Sequence, residues 1–323
     1  GGSALFRYFA EAGKKTVLIN ADRGSSWRNI GGGRPAFSIP ELAEIARNNQ
    51  TIFEETQKEY DIHYREIRYI TFAHDEATYN DLERSCGWSN AYLIDKKDFQ
   101  KEVSPYFNTN QNTYFAAQIS QHCWQATPGR VIDFIRNKGK ERQGEVLEDT
   151  HLVEVHKNGG KYHVLLYTHD KRYIEYECDH FDMLIDRRKR NDFSAVYGQQ
   201  FAETGQIIAC ASPAVDAKAE ISNFDELKFN TRRFMEIISE VFCDWIPSLA
   251  TVPVQATWSG YYVEPRYIID PDNGLFVGLQ GHGFMLAQYL AKLYVDKALG
   301  RTVPDYMERL RLDGDGISEK AFK

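Results

Sequence analysis

A chain of 323 residues, 42% hydrophobic and 26% charged, is too apolar for disorder and long enough for two domains around a large ligand. Its net charge of −7, with basic residues dispersed except at Arg187-Arg188-Lys189-Arg190, excludes a broad nucleic-acid footprint, and that basic run reads as a solvated loop. No apolar stretch reaches the roughly 18 residues of a membrane span and no leader segment is evident, so a cytoplasmic protein is expected; the five separated cysteines, without a C-x-x-C pair, exclude a disulfide framework and a zinc cluster.

Ala4, Leu5, Tyr8 and Phe9 recur at helical spacing, and Gly13 stops that helix before Thr16-Val17-Leu18-Ile19, a buried-strand run. The stretch from Asn20 to Arg34 is too rich in glycine and polar residues for an ordinary element and reads as a functional loop. The spacing of Leu42, Ile45, Ala46, Ile52 and Phe53 predicts a helix from Ile39 to Tyr60, with Ser38 as N-cap and Pro40 in the first turn. Ile67 to Phe72 reads as strand, Glu76 to Ser85 as an exposed helix and Pro128 to Lys138 as another helix. Strands follow at Val146-Leu147, Leu152 to His156, Lys161 to Thr168 and Tyr173 to Cys178, two of them joined by the turn Asn158-Gly159-Gly160. Strands are predicted at Ile207 to Ala211 and Val252 to Tyr262, flanking a helix at Thr231 to Phe242. The chain closes on a strand at Leu275 to Gly278, a glycine turn, and a helix from Phe284 to Leu299 stopped by Gly300. This order implies one nucleotide domain assembled from both ends of the chain.

Gly1-Gly2-Ser3-Ala4-Leu5 has the form of the end of a dinucleotide fingerprint, whose third glycine, here Gly2, lets the helix pack on its strand while the helix start faces a pyrophosphate. In such folds an acidic residue ending the second strand bonds the adenosine ribose. That place holds Asn20, whose amide accepts a hydroxyl but adds no charge, with Asp22 as a partial substitute.

The fingerprint end, the loop Ser25 to Pro35, the strand Thr150 to Val155, the run Trp258-Ser259-Gly260-Tyr261-Tyr262 and the run Gly278-Leu279-Gln280-Gly281-His282-Gly283 occur in an order that resembles the D-amino acid oxidase-like superfamily of FAD-dependent oxidoreductases. That superfamily includes glycine oxidase, sarcosine oxidase and dimethylglycine dehydrogenase. The resemblance implies an α/β fold, α+β overall, with a Rossmann-like FAD-binding domain built from both chain ends and a mixed β-sheet substrate domain. Residues 1–60, 126–190 and 266–323 are then expected in the FAD-binding part, and 61–125 and 191–265 in the substrate part.

The resemblance also implies roles. Ser26, Trp27, Arg28, Asn29, Gly31, Gly32 and Gly33 would wrap the pyrophosphate and flavin edge, and Leu152 would meet the adenine through its backbone. Gly278, Gly281, Gly283, Phe284 and Met285 would form a helix start whose amides face the flavin pyrimidine ring, where reduced flavin gathers negative charge. His282 stays open between facing substrate, stacking near flavin and a structural role. Tyr261 and Tyr262 would line the substrate pocket, one of them facing the flavin, because a regular strand points them to opposite faces. Arg266 is the alternative clamp for a substrate carboxylate. The two aromatics after Gly260 lean toward the dimethylglycine dehydrogenase branch.

The implied activity is oxidation of the C–N bond of an amine or amino acid such as sarcosine, dimethylglycine, proline or glycine, by hydride transfer to flavin N5. Oxygen, a quinone or a partner protein would take the electrons, no nucleic acid or transmembrane segment is involved, and self-association is left open. The alternative is a non-catalytic flavin-binding or assembly subunit. Two departures stand out: no strand precedes Gly1, and Asp182-Met183-Leu184-Ile185 runs directly into Asp186 to Arg190 where the family has an Asn-Ala-Ala-Gly-like turn. Incomplete coverage of those segments is expected rather than a degenerate flavin site.

Overall fold

The computed structural model describes residues 1–20, 25–27, 29–73, 75–103, 105, 116–181, 195–200, 205–212, 231–243, 246–258, 266–279, 281–317 and 319. Gly2–Glu11 forms α1, which buries Ala4, Leu5, Phe6 and Ala10, and Gly13 at φ +77° turns the chain into β1 (Val17–Asn20). A 3-10 turn at Ser25–Trp27 and the two-residue strand β2 (Gly32–Gly33) lead to α2 (Pro40–Glu59). The expected Ser38 cap does not form. Pro40 fixes the first helical position, Ile39 is the N-cap, and Ser38 lies one residue too early; its backbone N–H donates instead to the buried Glu319 carboxylate, at 3.1 and 3.0 Å from the two oxygens.

Next come β3 (Arg65–Ala73), α3 (Glu76–Ser85), β4 (Ala91–Asp95), α4 (Phe99–Glu102) and β5 (Ala116–Gln125). Asp75 caps α3 by accepting the Thr78 N–H at 2.7 Å. Along β5, β3 occupies one edge while β4 and then β2 pair with the other, all antiparallel. The helix α5 (Pro128–Glu141) turns its Val131, Ile132, Phe134 and Ile135 inward and delivers β6 (Glu145–Glu148), which pairs parallel with β1 from Val17 opposite Glu145 to Asn20 opposite Glu148. The parallel pair brings an N-terminal strand beside one from the middle of the chain, with α5 leading directly into the second of them.

The strands β7 (His151–Asn158), β8 (Lys161–Tyr167) and β9 (Tyr173–Cys178) form an antiparallel meander, with Gly159 and Gly160 at positive φ in the first turn. A second hairpin joins β10 (Ala195–Gln200) to β11 (Ile207–Ser212), and α6 (Thr231–Ile238) continues as a π-helical turn over Ser239–Cys243. The strand predicted from Val252 is not formed over 252–258: Val252, Val254 and Trp258 are exposed there, and no described strand pairs with them. The rest of that prediction, including Tyr261 and Tyr262, lies outside the described residues. A last hairpin, β12 (Ile268–Asp270) with β13 (Leu275–Val277), precedes α7 (Gly283–Ala298) and α8 (Tyr306–Arg309).

The fold is α/β. Its main core gathers Leu5 from α1, Ile45 and Phe53 from α2, Trp124 from β5, Ile135 from α5, Ile269 and Phe276 from the last hairpin, and Leu290 and Tyr294 from α7, so both chain ends share one apolar interior. Buried Asp270 holds the last hairpin in place, accepting from the Asn273 side chain at 2.8 Å and from the Leu312 N–H at 3.0 Å. Burial works against its ionisation, yet those donors and nearby Arg311 keep its carboxyl below the usual carboxylate range. Among the described residues no helix is long and apolar enough to cross a membrane.

Two predictions follow from this packing. A Cβ at Gly139 of α5 would lie 2.2 Å from the Phe6 ring, so Gly139→Ala is expected to cost about 1–3 kcal/mol in urea unfolding of the flavin-free protein, with part of the loss recovered by Phe6→Leu. Burial pushes the Tyr8 phenol up to about 12, against the opposing pull of Arg7. A folded-state value above the unfolded value of about 10 gives stability that is whole below that pH and declines as pH rises toward 12; urea midpoints across the range should fall, and Tyr8→Phe should shallow the decline.

Candidate functional site

The first part of the site lies at the carboxyl ends of β1 and β6, the edge at which open α/β sheets receive nucleotides. Gly2 is the first residue of α1, and no side chain caps that helix; the Ala4 and Leu5 N–H groups donate to the Gly1 carbonyl at 2.8 and 3.1 Å, so the N–H groups the helix start offers are those of Gly2 and Ser3. Arg136 of α5 reaches this corner, donating from Nε to Ser3 Oγ at 3.2 Å and lying 5.8 Å from the Trp27 ring centre. Its Nη1 also donates to Glu148 Oε1 at 2.6 Å. Asn20, the last residue of β1, donates from Nδ2 to Glu148 Oε2 at 2.6 Å.

The second part is the glycine loop. Asn29 closes it internally: its Nδ2 donates to the Ser26 carbonyl, and its Oδ1 accepts the Gly31 N–H at 2.7 Å. The side-chain donor expected to face a cofactor is thus spent within the loop. The glycines have a packing cause. Gly31 sits at φ +75°, and a Cβ there would lie 2.1 Å from the Ala126 carbonyl oxygen; at Gly32 it would lie 2.3 Å from the Tyr69 hydroxyl, and at Gly33 2.2 Å from the Trp124 ring. The close approach they permit on this side is to β3 and β5. Gln199 of β10 donates to the Ile30 carbonyl from the same side. Asp22 and Arg28 lie outside the described residues.

The third part is the turn between β13 and α7. Gly278 and Gly281 have φ of +78° and +79°, and a Cβ on Gly278 would meet the Arg266 carbonyl oxygen at 1.8 Å. The His282 N–H closes the turn on the Leu279 carbonyl at 2.6 Å. Gly283 opens α7 without a side-chain cap, and its Cβ would be 3.5 Å from Leu279 Cδ1, an ordinary contact. Met285 donates its N–H to the His282 carbonyl at 3.0 Å, and its side chain packs on the main core.

Aromatic contacts join the second and third parts. The Phe284 ring is 5.0 Å from Phe53, Phe53 is 5.9 Å from Trp124, and Trp124 lies against Gly33. A parallel route runs from Arg34, 4.5 Å over the Phe37 ring, to His282, whose ring meets Phe37 edge-on at 5.3 Å. His282 Nδ1 is 2.8 Å from the Tyr267 hydroxyl. Tyr267 is fully buried, and burial pushes its phenol well above the usual range, with Glu319 adding to the rise and Arg34 opposing it. A neutral phenol therefore fixes the histidine ring.

Other expected residues are placed differently. At Arg266, the alternative carboxylate clamp, Nη1 donates to the Gly314 carbonyl at 2.5 Å and Nη2 to that of Leu312, so its fork braces the loop after α8. Leu152 is on β7 beside a bulge and is 37% exposed, which rules out an ordinary core leucine and leaves its backbone near the surface. Sequence reasoning missed Arg136, Glu148, Trp124, Tyr267 and Phe37, because each takes part through a partner distant in the chain. The one local signal is the place of Glu148, two residues before the Thr150 strand already singled out.

A family model described as DAO, FAD dependent oxidoreductase, matches residues 2–185. Among solved structures, the fold is similar to L-proline dehydrogenase from P. horikoshii at 18% identity, covering 96% of this chain and 95% of that one with a TM-score of 0.77. Glycine oxidase from Geobacillus kaustophilus is 14% identical over 96% and 95%, TM-score 0.74, and L-amino acid deaminase from Proteus myxofaciens 12% identical over 97% and 92%, TM-score 0.71. No curated protein matches the sequence.

The glycine geometry separates two kinds of variant. Gly33→Ala should lower stability by about 1–3 kcal/mol by displacing the Trp124 ring, and a double-mutant cycle with Trp124→Leu should return a coupling of about 0.5–3 kcal/mol. Gly283→Ala has room for its methyl group and should change the stability of the flavin-free protein by no more than about 0.5 kcal/mol.

Proposed function

Because the chain belongs to the DAO family of FAD-dependent oxidoreductases, we propose that it oxidises the C–N bond of an amine or amino acid, with sarcosine, dimethylglycine, proline and glycine defining the substrate class. The observation that carries this reading is the meeting of the Gly31–Gly33 segment with the start of α7 through Trp124, Phe53 and Phe284. It places an uncapped helix start next to a loop from the other end of the chain. The likeness in fold to proteins named proline dehydrogenase, glycine oxidase and amino acid deaminase supports the choice of nitrogen compounds.

The residues fit FAD. The uncapped start of α1 suits a pyrophosphate and that of α7 suits a ring system that becomes anionic on reduction, since both offer N–H groups and positive potential. In this reading Gly2 and the Ser26 to Gly33 loop hold the diphosphate side, with Trp27 and Arg28 toward it and Asn29 shaping the loop from within, and the Leu152 backbone meets the adenine. The amides of Gly281, Gly283, Phe284 and Met285 face the pyrimidine. Segments 1–60, 126–190 and 266–323 form the cofactor-binding part; 61–125 and 191–265 form the substrate part.

FAD held there would supply a two-electron acceptor for hydride from the carbon next to nitrogen. The chain's own groups orient the amine and stabilise charge. Tyr261 or Tyr262 positions the substrate, and Tyr267 holds His282 in one ring orientation beside the helix start. A neutral amine that gives up hydride is left as an iminium ion, which water hydrolyses to a carbonyl compound and the freed amine, so the C–H step needs no protein base. Oxygen, a quinone or a partner protein is the proposed final electron acceptor, and the cytoplasm is the compartment this reading assigns.

Anaerobic titration of the flavin-loaded protein tests the reading. The oxidised flavin absorbance should bleach on addition of one of the four named compounds, and a screen of other amines and amino acids should give weaker or no reduction. Failure of every amine and amino acid would sink the proposal, and reduction that appears only when a second protein is added would favour the assembly subunit.

A further inference from the structure

We propose that Glu148, at the end of β6, is the carboxylate that binds the adenosine ribose, standing in for the acidic residue that Asn20 replaces at the end of β1. The parallel register sets Asn20 directly beside Glu148, so the negative charge moves sideways by one strand spacing, about 4.8 Å, and stays on the same edge of the sheet. The carboxylate is anchored on both oxygens, by Arg136 Nη1 at 2.6 Å and by Asn20 Nδ2 at 2.6 Å. Those two donors fill only half of the roughly four acceptor positions of a carboxylate. The Glu148 side chain is 49% exposed while Arg136 is 11% exposed, so the remaining lone pairs face solvent and the cation that orients them is inside.

Asn20 then acquires a role that an acidic residue could not fill. A carboxylate only accepts, so the Asn20 amide must turn Nδ2 to Glu148 and present Oδ1 on the other side. The pair offers two acceptor groups to a vicinal diol, one charged and one neutral. Arg136 ties this diol site to the α1 start through Ser3 Oγ, which links the ribose position to the pyrophosphate position in one hydrogen-bonded path.

The inference depends on FAD as cofactor and not on the identity of the amine, so a chain that oxidised none of the proposed substrates would leave it standing. The flavin-free protein is titrated with FAD, with FAD lacking the adenosine 2′-hydroxyl, and with FMN, following flavin fluorescence. Wild-type protein should bind FAD roughly tenfold to a hundredfold more tightly than the deoxy compound, the range for a hydrogen bond to a charged group. Glu148→Gln, which keeps size and a bond partner for Asn20, should erase most of that ratio and leave FMN affinity unchanged. Adding Asn20→Asp to Glu148→Gln should restore the ratio in part. The proposal is overturned if Glu148→Gln weakens FAD and the deoxy compound equally, if the ratio survives in that variant, or if Asp22→Asn is the change that erases it. Urea midpoints of the variants separate these outcomes from misfolding.

Discussion

The Trp124 ring occupies the space in which residue 33 would carry a side chain, and the geometry of the candidate site depends on that contact. Because β2 can lie flat on the indole, the loop that begins at Ser25 is held against β5, and the same indole meets Phe53 of α2 on its way to Phe284 of α7. Three elements far apart in sequence are thereby indexed to one rigid aromatic group. Close-packed interiors transmit such constraints because a ring has no smaller volume to retreat into.

The helices and the meander were legible in the sequence because they display their periodicity. The run from Pro40 to Glu59 repeats apolar residues at helical spacing, and the Gly159-Gly160 turn announces its hairpin. By contrast, β5 was not legible, although it is the strand on which its whole sheet is built. Its buried side chains include Gln118, Ser120 and Gln125, so polar residues lie where alternation would demand apolar ones. Gln118 donates to the Leu82 carbonyl and the Ser85 hydroxyl, both at 2.7 Å, and accepts from Ser120 Oγ at 3.3 Å; the sequence shows the helix that carries Leu82 and Ser85 but not that it packs against this strand. The unformed strand after Val252 is the opposite case, with strand-like residues that find no partner among the described strands.

For the site, a glycine pattern was readable and its cause was not. Gly31, Gly32 and Gly33 and Gly278 are glycines because neighbouring protein atoms occupy the side-chain space, whereas Gly283 has room to spare. Arg266 shows the same limit: the sequence places an arginine near a predicted pocket strand, and only the fold puts the carbonyls of Leu312 and Gly314 on its fork. Pairings such as Asn20 with Glu148 or His282 with Tyr267 exist only after the chain has folded, so no local pattern encodes them.

The sharing of one core by both chain ends also has a kinetic side. Asn49 of α2 accepts the Tyr289 N–H across 240 residues of sequence, and Glu319 accepts from Ser38 across 281. Contacts of such separation close long loops, and that entropy must be met before they reward the fold. During synthesis, which delivers the N-terminal segments first, α1 and α2 must wait with an apolar face uncovered until α7 emerges. The interval before α7 docks is when that exposed face of the nascent chain is most open to chaperones and to aggregation.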